Sequence, residues 1–75
     1  MRPDHRWQGT VWRTPEGGVV SCVEKLKVLN ENFTEIEQLC QEAFEDALLM
    51  GCDERQVRDV LVQLIARLNN PYRHD

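Results

Sequence analysis

Seventy-five residues, 41 % of them hydrophobic, make one domain at most, and a chain this short buries only about 60 % of its unfolded surface, so it needs a staple or a partner. The longest uninterrupted apolar run, residues 47–50, excludes a membrane-spanning helix of about 20 residues. The formal charge of −4 is concentrated in eight carboxylates between Val28 and Glu54 (Glu31, Glu35, Glu37, Glu42, Glu45, Asp46, Asp53, Glu54) with no Lys or Arg among them, which argues against binding of a phosphate backbone by the body of the chain.

Residues 1–20 hold both tryptophans, Pro3 and Pro15, and three of the four glycines, without helical periodicity. Three readings stand: an irregular, flexible arm; a weakly extended one in which residues 10–13 pair with residues 19–22 across Pro15, Glu16, Gly17 and Gly18; and a natural start at Val19 or Val20, with Glu16, Gly17 and Gly18 encoded by a ribosome-binding stretch. Trp7 and Trp12 with Arg6 and Arg13 place aromatics beside cations, a combination that stacks bases or docks partners when it is denser than here.

A first helix is expected over residues 21–50. Ser21 and Glu24 form the reciprocal pattern of a capping box. From there Leu26, Leu29, Phe33, Ile36, Cys40, Ala43, Ala47 and Met50 recur in alternating steps of three and four, which places them on one stripe of one helix. Leu39, Phe44 and Leu48 widen that stripe, and Asn30 and Asn32, weak helix formers, mark where a kink would fall. The carboxylates between Glu31 and Asp46 read as a solvated face, or as an acidic docking surface for a basic partner.

Gly51 stands where a left-handed residue ends a helix, and Asp53 with Gln56 restarts one. Val57, Val60, Leu61, Leu64, Ile65 and Leu68 carry a second amphipathic helix over residues 53–69, stopped by Asn69, Asn70 and Pro71. The expected fold is therefore all-α: an antiparallel helical hairpin domain over residues 21–70, an arm over 1–20 and a tail over 71–75. The first helix is about twice as long as the second at 1.5 Å per residue, so Leu26, Leu29 and Phe33 lack a partner within the hairpin. Either the Trp7 and Trp12 segment folds over them or a second copy does; the favoured reading is a two-fold dimer making a four-helix bundle, with Leu26, Leu29, Phe33, Ile36 and Cys40 as the dimer or partner interface.

No constellation for catalysis, cofactor or metal emerges. Inward carboxylates could serve a di-iron bundle only with helical histidines, and His5 and His74 lie in the tails. The three cysteines, Cys22, Cys40 and Cys52, are odd in number and follow no CxxC or zinc-ribbon spacing, and no signal-peptide pattern precedes them; a cytoplasmic location is expected. Cys40 reads as a small buried hydrophobe, and Cys52, at the helix junction beside Arg55, as the candidate reactive thiol.

Ala47, Gly51, Val57 and Val60 also resemble the spacing of a DNA-binding helix-turn-helix, which implies a nucleic-acid-binding regulator reading bases with residues 53–61 and the basic arm. Asp53, Glu54 and Asp59 in that stretch would repel phosphates. The function expected is instead a small cytoplasmic protein-interaction or regulatory module, homodimeric, acting through helical surfaces on a protein partner.

Overall fold

A computed structural model describes residues 9–72. Two helices form, α1 (Val23–Leu49) and α2 (Glu54–Ala66), and the described residues contain no named strand. The chain is all-α and hairpin-like. It divides into two compact units, Met1–Leu39 and Cys40–Asp75, so α1 begins in one and ends in the other. Trp7, Arg2, Arg6 and His5 of the arm, and His74 of the tail, lie outside the described residues.

In the first unit the chain reverses direction before the helix. Arg13 and Val19 form a single antiparallel bridge, closed by Thr14 N–H donating to Gly18 O at 2.8 Å and Val20 N–H donating to Trp12 O at 2.8 Å. The loop between them needs Gly17 at φ +92°, a conformation that a β-carbon disfavours, and the Thr14 hydroxyl accepts from Gly18 N–H at 3.0 Å. The weakly extended reading of residues 10–22 thus shrinks to one bridge, because a pair this short has no second face to bury.

The start of α1 falls two residues later than Ser21. Leu26 N–H donates to the carbonyl of Cys22 at 2.9 Å, which makes Cys22 the capping residue. Its sulfur faces the backbone N–H groups of Lys25 and Glu24, the role expected of the Ser21 hydroxyl. The helix then runs without interruption through Asn30 and Asn32 to Leu49. Within it the Thr34 hydroxyl donates to Asn30 O at 2.8 Å.

The second unit is a helical hairpin built by local rules. Gly51 N–H donates to Leu48 O and Cys52 N–H to Ala47 O, each at 3.0 Å, and Gly51 has φ +91°. That pair of bonds with a left-handed glycine is the Schellman stop. Asp53 accepts from Gln56 N–H at 2.9 Å and starts α2, with Glu54 in its first turn suiting the helix dipole. Phe44 and Arg58 stand equally far on either side of Gly51, and the Arg58 guanidinium lies 4.6 Å from the Phe44 ring centroid, so the two arms fold back on each other. At its far end α2 closes at Ala66, short of residue 69, where Asn70 turns to accept Tyr72 N–H at 2.8 Å.

The glycine makes a signed prediction. Nothing lies within 4 Å of a β-carbon built on Gly51, so its φ is the sole objection to a side chain. Gly51→Ala is expected to lower the urea midpoint by an amount equivalent to about 1 kcal/mol. A single continuous rod would instead gain from removing a glycine.

Candidate interaction surface

Among the described residues none is buried, apolar or polar. Half-buried positions along α1 are Leu26, Leu29, Asn30, Phe33, Thr34, Glu37, Cys40, Phe44 and Ala47. Leu26, Asn30, Phe33, Glu37, Cys40, Phe44 and Ala47 again alternate steps of four and three, but the stripe has moved one residue along from the expected seam. Asn30, Glu37 and Phe44 are half-buried where Ile36 and Ala43 are exposed. The aromatic rings explain the rotation: Phe33 and Phe44 lie on one side of the helix, and each carries far more apolar area than the residues next to it.

In the first unit Trp12 rests on Phe33, ring centroids 5.1 Å apart and tilted by 38°. The arm, one of the two covers that the sequence left open, therefore supplies part of the cover through Trp12. Leu26, Leu29 and Phe33 are half-buried, while Ile36 is 42 % exposed. Two buried polar atoms have no hydrogen-bond partner, Trp12 Nε1, a donor, and Asn30 Oδ1, an acceptor. Leaving such groups unpaired costs about 1–3 kcal/mol each, against about 0.5–1.5 kcal/mol that an aromatic pair adds beyond its area.

In the second unit Val57 and Leu61 are half-buried, with Cys40, Phe44 and Ala47 on the facing helix. The apolar face of α2 is wider than this cover: Val60 and Leu64 are each 54 % exposed, and Ile65 and Leu68 are exposed as well. Arg58 is bound to Glu54 at 3.1 Å as well as lying over Phe44, an exposed pair that adds little stability. Leu39 on α1 is 65 % exposed, and Met50, just past its end, 77 %.

Of the thiols, Cys40 is half-buried and Cys52 exposed, neither in a disulfide. The sequence singled out Cys52 and left Cys22 undecided. Backbone N–H groups of Lys25 and Glu24, with Lys25 charge assisting, hold the Cys22 thiol below its ordinary value. Its place in the first turn was the available signal. Among the described residues no three His, Cys, Asp or Glu side chains come together as metal ligands, and no helix is long and apolar enough to cross a membrane.

No family model matches the chain, and neither the curated proteins nor the solved structures contain a detectable relative.

Two outcomes follow from this geometry. Asn30→Leu removes an unpaired acceptor and a weak helix former from a half-buried position, and is expected to raise the thermal midpoint by the equivalent of about 1 kcal/mol; a lower midpoint would mean that Asn30 is satisfied in solution. In a chain retaining Cys22 alone, with Cys40→Ser and Cys52→Ser, a lowered pKa keeps thiolate present at lower pH. The alkylation rate is therefore expected to rise at lower pH than for a free cysteine peptide, and a profile coinciding with the peptide's contradicts it.

Proposed function

We propose that this chain is a small cytoplasmic protein-interaction or regulatory module that works through helical surfaces, without catalysis, and that its shorter helix pairs two copies into a four-helix bundle. The observation carrying this reading is that none of the described residues is buried while Val60, Leu64 and Ile65 of α2, with Leu68 just beyond its end, present apolar surface to solvent. A packed domain of this size holds itself together by a core; a chain without one gains most by covering its apolar faces with a partner.

Charge favours α2 as the self-pairing element. It carries Glu54 and Asp59 together with Arg55 and Arg58, and Arg67 closes its end. A two-fold antiparallel pairing of α2 with its copy brings the acidic start of one helix toward Arg67 of the other, which also suits both helix dipoles. The cytoplasmic location draws its support from cysteine usage without disulfide spacing.

A nucleic-acid-binding role for residues 53–61 has less support. Asp53 is occupied in capping, and Arg58, one of two cations in that stretch, is bound to Glu54. No retention on DNA-cellulose at low salt is expected.

Sedimentation at micromolar concentration is expected to give a dimer, not the 8.8 kDa of one chain. Val60→Glu and Leu64→Glu should each return it to monomer, since an unpaired carboxylate in a closed apolar contact costs about 2 kcal/mol or more. A wild-type monomer mass at that concentration overturns the pairing.

A further inference from the structure

Within the first compact unit the segment of residues 10–20 is tied together as one piece. Thr14 N–H to Gly18 O, Gly17 N–H to Thr14 O and Val20 N–H to Trp12 O join residues of this segment to one another, as do Arg13 to Gly17 O and Gly18 N–H to the Thr14 hydroxyl. Trp12, Thr14 and Val20 are half-buried while Val11, Arg13 and Val19 are exposed, the alternation of an extended segment with one side turned inward. That side meets α1 where the Trp12 ring lies on Phe33. Ser21 and Cys22, both exposed, link the piece to the start of α1, so it can swing away with its own hydrogen bonds intact.

Closure is compromised on both sides of the contact. The segment contributes a buried donor without a partner, Trp12 Nε1, and α1 contributes a buried acceptor without one, Asn30 Oδ1. Asn30 stands one turn before Phe33, about 60° around the helix from it. Opening returns both groups to water, which removes their desolvation penalty, and loses the ring contact and the cover over the half-buried Leu26, Leu29 and Phe33. Opposed gains and losses of this kind, in a segment bound by few contacts, belong to the elements of a fold that open most readily.

We propose that residues 10–20 are an autoinhibitory strap: closed, with Trp12 on Phe33, they withhold the Leu26, Leu29 and Phe33 stripe, and open, they present it. Asn30 and the Trp12 indole N–H set the balance by penalising the closed state. The strap goes beyond the function proposed above, since self-pairing is assigned to α2 in the other compact unit and neither feature requires the other.

The test follows Trp12 in the full chain. With Trp7→Phe it is the sole tryptophan, and its quenching by acrylamide reports the fraction of open strap. The expected quenching lies between that of N-acetyltryptophanamide and its level after Asn30→Leu, which removes the unpaired acceptor and should lower the constant by at least about twofold. Phe33→Ala should raise it toward the free amide with the helical circular dichroism retained. The dye 8-anilinonaphthalene-1-sulfonate reads the stripe itself: Trp12→Ala should bind more of it than the parent, and Trp12→Phe, which keeps a ring but no donor, less. A quenching constant unchanged by Asn30→Leu overturns the proposal, as does one already equal to the free amide in the parent. Dye binding by Trp12→Phe that rises to the level of Trp12→Ala also overturns it. Quenching that falls as protein concentration rises assigns the cover to a second copy and overturns the strap, whereas quenching independent of concentration supports it.

Discussion

A helix can be covered only along the length its partners reach. Here α1 has 27 residues and α2 has 13, about 40 Å against about 20 Å at the α-helical rise. Folding back from Gly51, α2 can line the end of α1 that lies in its own unit and no more. The other end is left to the arm, which brings Trp12 onto Phe33 and otherwise offers a single bridge between Arg13 and Val19. Two partial covers, each narrow, leave none of the described residues fully buried. The exposed apolar side chains of both helices follow from that mismatch.

Which side of α1 is covered follows from the aromatics. Phe33 and Phe44 lie on nearly the same side, and burying two rings gains more than burying Ile36 and Ala43. The choice brings Asn30 and Glu37 into the half-buried stripe with them. Its cost is visible at Asn30 Oδ1 and Trp12 Nε1, both buried without a partner. Its consequence is the exposure of Ile36, Leu39, Ala43 and Met50 on the opposite flank.

On the reading proposed here, α2, with both signs of charge, is suited to a copy of itself. Exposed apolar residues of this kind provide contact area; the charges around them decide what is excluded.

Much of the local structure was legible in the residues. Gly51 as the left-handed stop, Asp53 with Gln56 as the restart, and Asn70 with Pro71 beyond the end of α2 act through bonds spanning a few positions, so neighbouring residues suffice to read them. Even there Cys22 displaced Ser21 as the cap, because a thiol can face the same N–H groups as a hydroxyl. The seam of α1 was legible as a stripe, but not its covered flank. Adjacent positions differ by about 100° of rotation, and a stripe widened by Phe44, Leu39 and Leu48 can be approached from either edge. That choice belonged to Trp12 and to α2, whose contacts are brought close only by the folded chain. The sequence by itself therefore determined, to within three residues, where the helices start, stop and turn, while tertiary packing decided which apolar residues remained exposed, because burial depends on partners distant along the chain.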